Sequence, residues 1–299
     1  MSRNEIKKKL KRILQSRVHA NIPLSKLTSY RVGGPADFLV SPKNYEELSL
    51  LVKFINTNSL SFYIIGNGTN ILASDEGFKG ILISLKKLRK VRHDNVIVEA
   101  EAGADLNKLI LYSIKHNLAG LQHLSGIPGT VGGALRMNAG AYESEISNSV
   151  IGMEIMDYFG NIMYVLKKKV DFEYRKARKL ENKIILKAWF KLVKGKKQEL
   201  MRKRKEIINL RKQRQPWQDY SAGSVFKRPI GSYAGFLIER AGLKGYRIGD
   251  AEVSQKHAGF IINKGKATGS DIRALIKLIQ QKVYSKFRIK LKLEQILLE

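Results

Sequence analysis

Short apolar runs alternate along the chain with segments whose apolar residues recur at three- and four-residue spacing, which predicts strands and amphipathic helices in turn. Between Tyr45 and Asn58, residues Leu48, Leu51, Val52 and Ile55 fall at i, i+3, i+4 and i+7, predicting a helix with one apolar face. It lies between the strand-like Phe38-Leu39-Val40 and the apolar run Phe62-Tyr63-Ile64-Ile65, which reads as a buried strand, so a β-α-β unit is expected. Further strands are predicted at Ile81 to Leu85 and Asn95 to Ala100, and a helix from Leu106 to Asn117. Ile151 to Tyr158, Ile162 to Leu166 and Lys183 to Leu192 read as strands, and Gln213-Arg214-Gln215-Pro216 closes that part. Beyond it, Ser221-Ala222-Gly223-Ser224-Val225-Phe226 opens a final portion. There Ser270 is expected to cap a helix carrying Ile272, Leu275, Ile276, Ile279 and Val283 on one face, followed by the alternating strand Ile289-Lys290-Leu291-Lys292-Leu293.

Composition narrows the chemistry. At 299 residues and 43 % hydrophobic content the chain can bury a substantial core and is expected to form two or three domains. It contains no cysteine, which excludes disulfides, thiolate metal ligands and cysteine nucleophiles. The five histidines lack the i, i+4 spacing of a helical zinc site, so no metal is expected. No apolar stretch approaches the length of a membrane span, and the basic, amphipathic first twenty residues have no signal-type apolar region. A soluble cytoplasmic protein with no membrane insertion is the expectation.

Charge raises the question of nucleic acid, because 55 Lys+Arg against 26 Asp+Glu give a formal net charge of +29. The densest region runs from Lys194 to Arg214, but Leu200, Ile207, Ile208 and Leu210 interrupt it, as a core-packed helix with a solvated basic face requires. Zinc-finger, aromatic RNA-binding and helix-turn-helix patterns are missing. The charge is read as background together with attraction for an anionic small molecule, and no nucleic-acid partner is expected.

Two glycine-rich segments carry the candidate chemistry. Ser125-Gly126-Ile127-Pro128-Gly129-Thr130-Val131-Gly132-Gly133-Ala134 is expected to form neither ordinary strand nor helix, and suits a flat or phosphorylated ligand. Gly66-Asn67-Gly68-Thr69-Asn70 follows the apolar run ending at Ile65, and its amides could form an anion-binding concavity, with Thr69 and Asn70 adding side-chain hydrogen bonds. A Rossmann fingerprint would need a third glycine in register, but Asn70-Ile71-Leu72 follows Gly68 instead. That disfavours a Rossmann site; the alternative is a flavin held by main-chain amides from two α+β subdomains.

Read in order, Tyr30-Arg31-Val32-Gly33-Gly34-Pro35-Ala36, Gly66 to Asn70, Gly126 to Ala134, Met137-Asn138-Ala139-Gly140-Ala141-Tyr142, Tyr174-Arg175, Ala222-Gly223-Ser224-Val225-Phe226-Lys227 and Ala241-Gly242-Leu243-Lys244-Gly245 resemble the UDP-N-acetylenolpyruvoylglucosamine reductase family. The resemblance runs from about Leu27 to Glu294. The short span after Tyr174-Arg175, with Tyr233-Ala234-Gly235 further on, resembles the shorter of the family's two sequence types. It implies an α+β fold: a two-subdomain FAD-binding module of the vanillyl-alcohol-oxidase/PCMH type, then a smaller α+β substrate-binding domain. The domains expected are a basic N-terminal helix over 1–20, FAD-binding subdomains over 21–90 and 91–205, and a substrate-binding domain with a catalytic C-terminal strand over 206–299.

The resemblance also implies a bacterial enzyme of peptidoglycan precursor synthesis that binds FAD non-covalently and uses NADPH as co-substrate. Its reaction converts the enolpyruvyl ether of a UDP-sugar to a lactyl ether, giving UDP-N-acetylmuramate; a monomer is expected. Arg175 matches the family arginine that pairs with the substrate carboxylate, a role suited to a planar, permanently charged fork. Ser224 matches the serine that protonates the carbon beside it, and Glu294 the glutamate that assists enolate formation or proton delivery. Taken singly, these three read as a solvated basic loop, a turn residue and a solvent-facing carboxylate; membership in the ordered set gives them their roles.

Flavin contacts are expected from Asn67, Gly68, Thr69 and Asn70 at the pyrophosphate, from Gly126, Pro128, Gly129, Thr130, Gly132 and Gly133 beside the adenine and the ring system, and from Arg31. Tyr142, Arg214 and Lys227 are the candidates for binding the UDP part. The chain departs from the family pattern at Arg228, where asparagine is common, at Asp250, where glycine is usual, at Gly259, where asparagine is usual, and at Ala177, where serine is frequent. The alternative is another FAD-dependent oxidoreductase on the same scaffold, with no use for Ser224 and Glu294.

Overall fold

The computed structural model describes every residue except Tyr142 and Glu143. Two compact units divide the chain: Met1–Ala20, Phe38–Asn67 and Gly80–Asn209 form the first, and Asn21–Asp37, Gly68–Lys79 and Leu210–Glu299 the second. Each has its own apolar core.

In the first unit, an antiparallel sheet has the order Ile162–Leu166, Val150–Met156, Ile184–Lys191, Ile97–Glu101, Val91–Asp94. A second sheet has the order Val18–Pro23, Pro35–Val40, Phe78–Ser84, Phe62–Ile65. Its last two strands run parallel, with Phe62 opposite Ile81 and Ile65 opposite Ser84. The expected helix is present from Tyr45 to Thr57 and links Pro35–Val40 to Phe62–Ile65, two strands of this sheet that have Phe78–Ser84 between them. Asn44 starts it by accepting from the Glu47 N–H at 2.8 Å, and Leu48, Leu51, Val52 and Ile55 are buried as their spacing requires. The helix Leu106–Lys115 begins in the same way on Asp105.

Several expectations need correction. Phe62–Ile65 is the strand anticipated, but only Ile65 is fully buried. The second glycine run is not loop throughout: Val131–Arg136 is a short helix, because the Thr130 hydroxyl accepts from the Gly133 N–H at 3.2 Å and Val131, Ala134 and Leu135 enter the core. In the second unit, the helix Gly269–Phe287 carries the five predicted core residues but is capped by Thr268, not Ser270. Thr268 and Asp271 form a reciprocal capping box, while the Ser270 hydroxyl donates to Asp75 at 2.7 Å. Ile289 to Leu293 is extended without being a regular strand; it makes one isolated bridge, between Leu293 and Phe226. The regular C-terminal strand is Ile296–Leu298, parallel to Ile71–Ala73, so Glu294 precedes that strand and does not lie on it. The second unit is completed by the antiparallel strands Arg247–Ile248, Ala251–Val253 and Ile261–Asn263.

Candidate active site

The first unit brings parts of the two glycine motifs together. A Cβ on Gly66 would lie 2.8 Å from the Thr130 Oγ1, so only glycine allows this approach. Around the second loop most main-chain donors are already used. The N–H groups of Val131 and Gly132 donate to the carbonyls of Ala104 and Ala102, each at 2.8 Å, and that of Gly126 donates to Asn107 Oδ1 at 2.9 Å. Asn107 Nδ2 in turn donates to the Ile127 carbonyl at 2.9 Å, bracketing the loop from the neighbouring helix. The loop is therefore a rigid surface of Cα and carbonyl atoms at these positions, not a row of unpaired amides. Beside it, Ser125 Oγ and His123 Nε2 are buried without a hydrogen-bond partner among the described residues. Such groups are costly unless a ligand or water completes them. Burial also lowers the His123 pKa, which favours the neutral ring.

Arg175 occupies the two-residue connection of a small hairpin in which Phe172 faces Ala177 and Glu173 faces Lys176. Its backbone is left-handed at φ 56°, an uncommon conformation for a side-chain-bearing residue. The guanidinium is not simply solvated: Nη2 donates to the Gly140 carbonyl at 2.9 Å, and the group sits 4.9 Å from the centre of the Tyr174 ring. Asn138 anchors this arrangement from below. It is fully buried, and its Nδ2 donates to Glu145 Oε2 at 2.6 Å and to the Glu173 carbonyl at 3.0 Å. Met137-Asn138-Ala139-Gly140 and Tyr174-Arg175, two motifs separate in sequence, thus share one hydrogen-bond network.

In the second unit Ser224 and Glu294 lie on paired extended segments. Ser224 bridges Phe260, Phe226 bridges Leu293, and the Glu294 N–H donates to the Val225 carbonyl at 2.9 Å. Asn70 belongs to the same assembly, since its Nδ2 donates to the Glu294 carbonyl at 3.1 Å. Gly68, with φ 66°, passes so close to Leu27 that a Cβ would lie 2.0 Å from the Leu27 carbonyl oxygen. Arg31 is left-handed at φ 57° and stacks its guanidinium 3.9 Å from the centre of the Tyr220 ring.

Of the other expected contacts, Lys227 is half-buried, its N–H donating to the Lys292 carbonyl at 2.8 Å, and Arg214 is exposed at the end of the helix Lys197–Arg214. Tyr142 lies outside the described residues. The departures have local structural roles. Arg228 stacks on Tyr233 at 4.0 Å, Asp250 Oδ2 accepts from the Lys266 N–H at 2.9 Å, and the Gly259 carbonyl accepts from the Val225 N–H at 2.9 Å. The sequence assigns no role to Asn107, Asn138, Tyr220 or Gln295, because single amides and one tyrosine carry no spacing signal.

The "FAD binding domain" family matches residues 36–165, the stretch that contains both glycine loops, and the orphaned Ser125 and His123 atoms suit a polar ligand there. The chain is a flavin-dependent oxidoreductase with an α+β FAD-binding module of the PCMH type and a smaller C-terminal domain. The family described as "UDP-N-acetylenolpyruvoylglucosamine reductase, C-terminal domain" matches residues 215–298. The UDP-N-acetylenolpyruvoylglucosamine reductase of Caldanaerobacter subterraneus subsp. tengcongensis is 45 % identical over 285 residues, covering 95 % of this chain and 94 % of its own. That of Carboxydothermus hydrogenoformans is 43 % identical, covering 98 % of each. The crystal structure of the Thermus caldophilus reductase superposes with a TM-score of 0.82 at 32 % identity, over 95 % of this chain and 99 % of that one. The chain belongs to the UDP-N-acetylenolpyruvoylglucosamine reductase family. By fold alone it is also similar to 6-hydroxy-D-nicotine oxidase from Arthrobacter nicotinovorans, with a TM-score of 0.51 at 15 % identity, over 60 % of this chain and 43 % of that one.

Proposed function

We propose that the chain reduces the enolpyruvyl ether of UDP-N-acetylenolpyruvoylglucosamine to the lactyl ether of UDP-N-acetylmuramate through the residues assigned below. Near-full-length identity to reductases of that name carries the reading. FAD, when bound, would supply the hydride chemistry that links NADPH oxidation to reduction of the substrate. The Arg175 guanidinium, held by Gly140 and Tyr174, pairs with the substrate carboxylate and stabilises the charge that builds there. The Ser224 hydroxyl gives its proton to the neighbouring carbon, and Glu294, on the segment paired with that of Ser224, restores it.

Asn67, Gly68, Thr69 and Asn70 would hold the flavin at its pyrophosphate, and Gly126, Pro128, Gly129, Thr130, Gly132 and Gly133 would border its adenine and ring system, with Arg31 as a further cation. Tyr142, Arg214 and Lys227 bind the UDP part, so that remote phosphates orient the small reacting group. The family matches over 36–165 and 215–298 support taking 21–90 and 91–205 as halves of the flavin module and 206–299 as the substrate domain. Among the described residues no helix is long and apolar enough to cross a membrane. A UDP-linked substrate and NADPH accord with action in the bacterial cytoplasm, in the service of cell-wall growth. Ser224→Ala tests the assignment: flavin reduction by NADPH should stay near normal while reoxidation by the enolpyruvyl UDP-sugar is nearly abolished. Equal loss of both halves would count against Ser224 as the acid.

A further inference from the structure

Gln295 follows Glu294 directly and is almost completely buried, at 4 % exposure, beside the fully buried Tyr30. Three carbonyl or hydroxyl oxygens surround its Nε2: Ala222 at 3.1 Å, Gly223 at 3.3 Å and the Tyr30 hydroxyl at 3.0 Å. An amide has two protons to give, and the two carbonyls can only accept. The self-consistent arrangement sends both protons to Ala222 and Gly223, while the Tyr30 hydroxyl donates to Gln295 Oε1 at 3.2 Å. Burial pushes the Tyr30 pKa far up, so the hydroxyl remains a donor at every working pH.

Ala222 and Gly223 are the two residues that lead into Ser224, and Gly223 turns the chain with φ 74°. Downstream, the Val225 N–H is fixed on the Gly259 carbonyl at 2.9 Å, and the Val225 carbonyl on the Glu294 N–H at 2.9 Å. Upstream, Gln295 holds the Ala222 and Gly223 carbonyls, while further back the Tyr220 carbonyl accepts from the Asn263 N–H at 2.9 Å. We propose that Gln295, oriented by Tyr30, is a positioning residue for proton delivery: it locks the 222–223 carbonyls and so fixes Ser224 against the segment that bears Glu294. The inference rests on the assignment of Ser224 as the acid. A displacement of about an ångström is enough to cost roughly a hundredfold in a positioned step.

Gln295→Met keeps the length and apolar volume but removes both donors. Its FAD content and NADPH-driven flavin reduction should match the parent, while anaerobic reoxidation by the enolpyruvyl UDP-sugar slows about a hundredfold. The solvent deuterium isotope effect on that half should rise, because proton transfer becomes limiting. Tyr30→Phe, which removes a single hydroxyl, should show the same signature at roughly a tenth of the size, and serves if the methionine variant folds poorly. In a Ser224→Ala background, Gln295→Met should add nothing. Reoxidation by Gln295→Met within about threefold of the parent, with Ser224→Ala inactive in that half, would overturn the clamp while leaving the role of Ser224 intact. Parallel loss of both half-reactions in both variants would overturn it in favour of general structural support. Parent-like reoxidation by Ser224→Ala would overturn the Ser224 assignment itself, and the clamp with it.

Discussion

Asn70 grips the segment around Glu294 from both of its own polar ends: its side-chain Nδ2 donates to the Glu294 carbonyl at 3.1 Å, and its main-chain carbonyl accepts from the Ile296 N–H at 3.0 Å. The last residue of the first glycine motif therefore fixes the start of the C-terminal strand, which runs beside Ile71–Ala73. Asn70→Ala removes only the side-chain bond and leaves a part-buried carbonyl short of a donor. Urea denaturation of the apoprotein should show a loss of about 1 kcal/mol, within the usual range for one such bond. An unchanged midpoint would mean that water replaces the amide without cost.

Arg175 should not tolerate lysine. A lysine ammonium is a point charge without the planar fork that can hold Gly140 and still face a carboxylate. In Arg175→Lys, flavin reduction by NADPH should be retained, while the rate of reoxidation by substrate falls roughly 10²-fold and KM for the UDP-sugar rises. Steady-state and stopped-flow rates read the two effects separately.

Thr130 starts the helix Val131–Arg136 and stands against Gly66. Thr130→Val keeps the shape and loses the cap, so thermal unfolding should report a destabilisation of about 1 kcal/mol. FAD titration should show weaker binding in the same variant, because the Thr130–Gly133 stretch assigned to the flavin loses the hydrogen bond that fixes it.

Asp75 gives the fold a defined acid sensitivity. Burial opposes its ionisation, but hydrogen bonds from the Ser270 hydroxyl and from the N–H groups of Gly269 and Ser270 outweigh it, and the carboxyl is held below its ordinary value. A carboxyl whose pKa is lower folded than unfolded adds stability that is complete above the unfolded value and disappears as pH falls through the folded one. Asp75→Asn should therefore be less stable than the parent by a constant amount at neutral pH, with the gap closing below the usual aspartate pKa of 3.8. Urea midpoints across that range provide the check.

Local periodicity made much of the fold legible. The helix at Tyr45–Thr57 and the strands at Phe62–Ile65 and Ile162–Leu166 stand where the apolar spacing put them. The misjudged elements are those decided by distant partners. Ile289 to Leu293 alternates like a strand, yet its neighbour is the irregular segment around Phe226, so pairing is limited to one bridge. Ser270 reads as a cap, but Asp75, far away in sequence, takes its hydroxyl. The motifs supplied the candidate residues without their supports: Gln295 meets Tyr30 across 265 positions, and Asn138 reaches Glu173 across 35. The grouping of Asn21–Asp37 and Gly68–Lys79 with the C-terminal residues likewise depends on long-range packing that carries no periodic signature.

The central claim is tested most directly by following the visible absorption of the purified protein through two anaerobic additions. The account predicts a yellow protein whose flavin band disappears with NADPH and returns when the enolpyruvyl UDP-sugar is added, one equivalent of lactyl ether being formed per flavin. A colourless protein that does not take up FAD, or a reduced flavin that the UDP-sugar leaves unchanged, would contradict it.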